Sequence, residues 1–152
     1  MTTTKRGTSP DAEADSAVYR LEDQIGFVIR KAAQLHTAIF AKHMIEQLTP
    51  TQWAALVKIN ELEAVSQNRL GRETAMDVAT IKGVVDRLIK RELVAISADP
   101  SDSRRNLIAL TAEGKKLVHV GAPVAMRITE DTWKRLTVGE RQMLLELLRK
   151  IS

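Results

Sequence analysis

The sequence predicts a mainly α protein with one small β-hairpin, an α+β arrangement in which helices at both ends flank a central helix-turn-helix. Three observations carry this expectation. Val78, Ile81, Val84, Val85 and Leu88 recur at three- and four-residue steps behind the helix-start residue Asp77, which marks a helix with one buried face. Two short β-type segments, 93–97 and 106–110, then enclose a turn-forming loop from Asp99 to Arg105 that ends in two arginines. Long amphipathic runs at 19–44 and 112–151 lie outside this middle stretch.

In chain order, residues 1–18 are rich in Thr, Ser, Asp, Glu and Pro and read as a disordered tail. A long helix follows from about Tyr19 to Met44. Leu21, Ile25, Val28, Ala32, Leu35 and Ile39 form one stripe on it, and Ile29, Ala33, His36 and Phe40 form a second beside the first. So wide an apolar surface needs two neighbours, one in the chain's own core and one in a second subunit. Thr49, Pro50 and Gln52 spell a helix opening, with Thr49 as cap, Pro50 in the first turn and Gln52 closing a capping box. Trp53, Leu56, Val57 and Leu62 supply the apolar face of that helix, up to about Glu63. Ser66 caps a short helix that ends near Arg72 or Glu73, and Thr74 to Met76 leads to the cap at Asp77. Thr111 caps the next helix, whose Gly114 permits close backbone approach. Pro123 implies a kink or break within it. Thr137 and Glu140 box the last helix, lined by Met143, Leu144, Leu147, Leu148 and Ile151.

The outer face of the helix after Asp77 is small and cationic: Ala79, Thr80, Lys82, Gly83, Arg87 and Lys90, with Asp86 among them. Such a face enters a major groove, while an arginine-tipped hairpin reaches phosphates or the adjoining minor groove. Asn68 and Arg69 on the preceding helix are placed to hold phosphates. Gly83 has a reason on this reading, because a mid-helix glycine costs about 1 kcal/mol relative to alanine and close approach to a phosphate or base would account for that cost. The bland alternative for these residues is a solvated helix face and a solvated turn.

Composition agrees without deciding the matter. The net charge of +4 and a pI near 9.6 favour a polyanionic partner, and 44% hydrophobic residues suffice for a single folded domain from 19 to 152. There is no cysteine, which excludes thiol chemistry, disulfides and Cys-based metal sites. No apolar run approaches the roughly 20 residues of a membrane span, and the N-terminus has no secretory core, so a cytoplasmic protein with no membrane partner is expected. The sequence holds no G-x-S-x-G, no phosphate-binding glycine loop and no H-E-x-x-H, and its histidines have no metal-ligand spacing. Neither an enzyme, nor a cofactor, nor a metal site is expected.

Three blocks resemble the multiple-antibiotic-resistance-regulator (MarR) family: Leu48 to Trp53, Val85 to Val94, and Asp99 to Arg104 continuing through Leu110, Thr111 and Gly114. The Asp-x-Arg pattern followed by Leu-Thr-x-x-Gly is the most specific of them. The resemblance extends from about Leu21 to Ile151. It implies a winged helix-turn-helix module at 48–111, with dimerisation helices at 19–47 and 112–152, in a homodimer that controls transcription from double-stranded DNA. It also implies release by a small aromatic acid or phenol, and catabolic control by such an acid. Asp102 matches the residue that orients a wing arginine and Arg104 matches that arginine, with Ser101, Ser103 and Arg105 beside them. Ser103 stands where arginine is common, and Glu92 replaces a frequent glycine.

Candidate dimer contacts are Leu21, Ile25, Leu144, Leu147, Leu148 and Ile151. His36 is the polar residue on an apolar stripe: either a hydrogen-bonded core or interface histidine, or a contact to a carboxylate or phenolate. In the second case Phe27, Phe40 and Trp53 are apolar walls and Arg30 is the counter-charge. Two other functions compete with the repressor: a non-specific architectural DNA binder, and a winged helix that binds a protein.

Overall fold

The computed structural model describes residues 18–152. The expected disordered tail, with Lys5 and Arg6, lies outside the described residues apart from Val18. Six α-helices and a three-stranded antiparallel sheet follow one another in the described residues. Helix α1 (Ile25–His43) is preceded by a 3-10 turn at Leu21–Asp23, so the helix expected to start near Tyr19 begins later. The reason is local. Gln24 is extended and acts as the cap residue, its carbonyl accepting from the amides of Phe27 and Val28.

A second 3-10 turn, Ile45–Gln47, leads to α2 (Pro50–Leu62), where Thr49 and Gln52 form the expected capping box. Strand β1 (Ala64–Val65) comes next, then α3 (Gln67–Glu73), capped by Ser66. The turn into α4 (Val78–Lys90) passes through Ala75 at positive φ, and the Met76 amide donates to the Gly71 carbonyl at 2.9 Å. Asp77 caps α4 by accepting from the Thr80 amide at 2.7 Å. Strands β2 (Val94–Asp99) and β3 (Asp102–Leu110) form the hairpin, and β1 pairs with the far end of β3, giving the order β1-β3-β2. Helices α5 (Ala112–Thr132) and α6 (Val138–Ile151) complete the chain, each with its expected threonine cap.

The core lies between α2, α3, α4 and the sheet. Leu56, Ile59, Leu70, Ile81, Leu88 and Ile108 are fully buried there, and Phe40 of α1 and Ile128 of α5 extend the buried cluster toward the chain ends. Gly114 explains how α5 leaves the sheet. A Cβ at this position would stand 2.1 Å from the Leu93 carbonyl oxygen, so only glycine permits the approach.

Four expectations need correction. Val78, assigned to the buried stripe of α4, is 71% exposed: it is the first residue of the helix, and burial of the stripe begins one turn later at Ile81. The hairpin is longer than the two expected segments. Pairing runs from Val94 opposite Leu110 out to Asp99 opposite Asp102, so Ser103, Arg104 and Arg105 belong to a strand and not to a loop, while Leu93 precedes β2. Strand β1 was not foreseen, since two residues show no period. Pro123 neither breaks nor ends α5, which continues as one helix to Thr132. Pro123 and His119 are both exposed, so the His119 carbonyl left without a donor can reach water.

The apolar stripes of the terminal helices are mostly open. Ile25, Val28, Ile29 and Leu35 of α1 are exposed, as are Met143, Leu144, Leu145, Leu147, Leu148 and Ile151 of α6. No residue of α6 is buried. No helix among the described residues is long and apolar enough to cross a membrane.

Candidate nucleic-acid interface

The outer face of α4 arises from its own periodicity. With Ile81, Val84, Val85 and Leu88 turned into the core, the helix leaves Ala79, Thr80, Lys82, Asp86, Arg87 and Lys90 exposed and Gly83 half-buried. Lys82 donates to Asp86 one turn on, at 2.8 Å, so its ammonium is held along the helix face. A Cβ added at Gly83 would meet only the tip of Arg87, at 3.6 Å, so nothing inside the chain requires glycine there. The Thr80 amide bonded to Asp77 holds that carboxyl below the usual carboxylate range and fixes the first turn.

At the hairpin tip two aspartates hold two arginines. Asp102 Oδ1 accepts from the Arg104 amide at 3.1 Å and from its Nε at 3.4 Å, while the Arg104 side chain stays 91% exposed. Asp99 faces Arg105 Nε at 3.9 Å. The Ser101 hydroxyl and amide donate to Asp99 Oδ1 at 2.7 and 2.8 Å, and these bonds, with Arg105 adding a smaller share, hold its carboxyl below the usual range. Ser101 thus stabilises the turn, and Ser103 is exposed on β3. Each arginine is thus oriented by an ion pair with a neighbouring aspartate while its side chain stays more than half exposed.

Helix α3 and the hairpin enclose a cleft of about 550 Å³, lined by Ser66, Asn68, Arg72, Arg104 and Arg105 among others. Asn68 and Arg69 are both exposed on α3, and Arg69 pairs with Glu73 at 3.6 Å. Arg72 was not singled out from the sequence. Its position one turn beyond Asn68 was the available signal.

The five residues expected around an effector do not meet in one place within the subunit. His36 Nδ1 lies 2.9 Å from Thr132 Oγ1 on α5, and its ring centroid is 6.0 Å from that of buried Phe40. The Thr132 hydroxyl already donates its one proton to the Ile128 carbonyl, at 2.8 Å. The imidazole must therefore donate through Nδ1, which leaves Nε2 as the acceptor of the neutral ring. Trp53 is half-buried and packs on Gly121 of α5, where a Cβ would come within 2.6 Å of the indole. Phe27 lies nine residues before His36 on α1, about 180° around the helix. It borders a separate shallow cavity of about 390 Å³ with Lys31 and Leu35. Arg30 is exposed on α1.

A larger cavity, about 640 Å³, was missed. Ile45, Leu93, Leu117 and Val120 form its apolar floor, and Glu46, Arg91, Glu113 and Lys116 form its rim. Arg91, at the end of α4, donates to the Glu46 carbonyl at 3.0 Å. The cavity therefore touches both the recognition-type helix and the strained link before α2, where Glu46 and Gln47 have φ near 50°. Its residues come from three separate elements, and no local pattern connects them.

Known proteins resemble this chain closely. The family model described as MarR family matches residues 48–105. The HTH-type transcriptional repressor NicR of Pseudomonas putida is 40% identical over 148 residues, 97% of this chain and 94% of that protein. A crystal structure of a probable transcriptional regulator from Pseudomonas aeruginosa superposes with a TM-score of 0.86 at 47% identity, covering 88% of this chain and all of that one. The structure of Bordetella bronchiseptica BpsR, described as explaining regulation of DNA binding by 6-hydroxynicotinic acid, superposes with a TM-score of 0.84. It is 38% identical, with 88% of this chain and 96% of that one covered.

Proposed function

This chain belongs to the MarR family of transcriptional regulators, and on that premise we propose that it is a homodimeric, sequence-specific repressor of a pseudo-palindromic DNA operator. Residues 48–111 form the DNA-reading module, and 19–47 with 112–152 form the dimer. The observation that carries the reading is the shared exposure of the α4 face and the arginine tip, set in a chain whose α6 has no buried residue. Ala79, Thr80, Lys82 and Gly83 approach the bases of a major groove. Arg87, Asn68 and Arg69 meet phosphates, and Arg104 and Arg105, with Ser101 and Ser103 beside them, reach the adjacent minor groove. Pairing through Leu21, Ile25, Leu144, Leu147, Leu148 and Ile151 places two such modules about one DNA turn apart. Its relatives are bacterial regulators, and a bacterial protein that acts on chromosomal DNA works in the cytoplasm.

Fluorescence anisotropy against a duplex selected from a random pool tests this reading. Arg104→Ala should weaken binding by about 1–3 kcal/mol at fixed salt and leave the melting temperature unchanged, as its exposure implies. Equal affinity for the selected duplex and a scrambled one would favour an architectural binder instead.

The effector is a small aromatic carboxylic acid, of the class that regulates the Bordetella relative. A single-ring acid fits the cavity over Ile45, Leu93, Leu117 and Val120, with Arg91 and Lys116 taking the carboxylate. The alternative seat is beside His36 and Phe40, with Phe27 and Arg30 supplied across the dimer. Binding at the first site would disturb the Arg91–Glu46 tie and reposition α4. Loss of effector-driven DNA release in Arg91→Ala, with His36→Ala unaffected, selects the first site, and the opposite pattern selects the second.

A further inference from the structure

Val78 is the residue that the dimeric repressor leaves unexplained. The exposed large hydrophobic side chains of the described residues cluster on α1, α5, α6 and their flanks, where a second subunit would cover them. Between residues 48 and 111 only two remain, Val78 at 71% exposure and Ile96 at 48%. Ile96 lines the cleft between α3 and the hairpin, beside Arg72, Arg104 and Arg105. Val78 has no such shelter. It is the first residue of α4, adjacent to Ala79 and one turn before Lys82, at the N-terminal end of the helix proposed to enter the groove.

We propose that Val78 reads a thymine in each half-site by packing its two methyl groups against the base's 5-methyl group. This rests on the proposed DNA-binding function and names one of its specificity determinants. The chemistry suits the task. The 5-methyl is the one apolar feature on the major-groove edge of a base, and apolar side chains are its natural partner. A β-branched side chain in a helix has essentially one χ1 rotamer, so holding its methyls forward costs little entropy. The turn that carries it is fixed by Asp77 bonding to the Thr80 amide, and Gly71 against Ile81 and the Met76 carbonyl sets how α4 leaves the preceding turn. Lys82 and the hairpin arginines hold the duplex electrostatically, which lets an uncharged contact choose among sequences.

The test replaces thymines by deoxyuridine, one position at a time, in a duplex selected from a random pool by the wild-type protein. This change removes the methyl and leaves every hydrogen-bonding group in place. At one symmetry-related pair of positions, replacement should lower wild-type affinity about fourfold per half-site, the worth of one buried methyl-sized group. Val78→Ala should bind the thymine duplex more weakly by a similar factor and no longer distinguish thymine from uracil there. Because Val78 is exposed, Val78→Ala should melt with the wild type, and Val78→Thr, which keeps one methyl, should retain part of the discrimination. If the wild type selects a sequence but no uracil position matters, or Val78→Ala discriminates as the wild type does, the contact is refuted and DNA recognition stands. If no sequence is selected at all, sequence-specific recognition fails and the contact fails with it.

Discussion

The stretch from Pro50 to Leu110 and the helices outside it handle apolar side chains in opposite ways. In the central stretch Leu56, Ile59, Leu70, Ile81, Leu88 and Ile108 are sealed from solvent by four elements that pack on one another. On α6 the leucines at 144, 147 and 148 repeat with equal regularity and none is buried. The same three- and four-residue period thus has two meanings. In one region it describes a finished core, and in the other it describes an open apolar face of the kind the proposed dimer would cover.

The most severe way to break this contrast is to charge the open surface. Leu144→Asp combined with Leu148→Asp should leave the subunit folded, since neither side chain is buried, and should yield a monomer by sedimentation. A lone subunit engages one half-site at a time, so operator affinity should fall by about 10²-fold or more through lost bivalency. A folded dimer with unchanged affinity would mean that α6 is not part of the interface.

Truncation inside the finished core acts on folding instead. Leu56→Ala should cost about 2–5 kcal/mol in denaturant unfolding whatever the protein concentration. Leu148→Ala should show its cost mainly as a melting temperature that depends more steeply on concentration, if its partner lies in the second subunit of the proposed dimer. If both variants behaved alike, the division between closed and open regions would be wrong.

Glycines sharpen the comparison at the level of single atoms. At Gly114 a methyl group would collide with the Leu93 backbone, and Gly114→Ala should destabilise by several times more than an ordinary surface change. At Gly83 there is room, so Gly83→Ala should stabilise the protein by up to about 1 kcal/mol through helix propensity. The same variant should weaken operator binding, measurable by anisotropy, if that space is kept for DNA. Stability gained without affinity lost would remove the functional reason for this glycine.

What the sequence revealed follows the range of each interaction. Thr49, Ser66, Asp77, Thr111 and Thr137 all cap helices as their spacing indicates, because a cap is a bond to an amide three residues on. The hairpin was legible from its turn residues, but its length was not. Pairing of Asp99 opposite Asp102 depends on strand contacts that turn chemistry does not encode. Strand β1 forms only because β3 offers an edge, burial of the α4 stripe begins only at Ile81 and leaves Val78 out, and the cavity rimmed by Arg91 and Lys116 joins elements remote in sequence. Glu63 and Glu92 hide two tight turns of another kind. Each has φ near 60°, a conformation that glycine would have advertised, and Glu92 stands where the family resemblance led one to expect it.

Proton linkage at the start of α4 gives the smallest effect and the most local one. Hydrogen bonds from Thr80 stabilise the ionised Asp77 carboxylate in the folded protein, so its folded pKa lies below the unfolded value, about 3.9 for a free aspartate. The unfolded chain therefore binds the proton first. The stabilisation is complete above that ordinary value and disappears as the pH falls through the depressed one. Asn at this position also caps helices but carries no titrating charge. Asp77→Asn should melt slightly below the wild type at pH 7, where the carboxylate also favours the helix dipole, and the gap should close toward pH 3. Asp99 and Glu140 are lowered by similar hydrogen bonds, but both remain in the variant and cancel from the difference. A gap that widened on acidification would show that the first turn of α4, and with it the position of Val78 and Ala79, is held by something other than this cap.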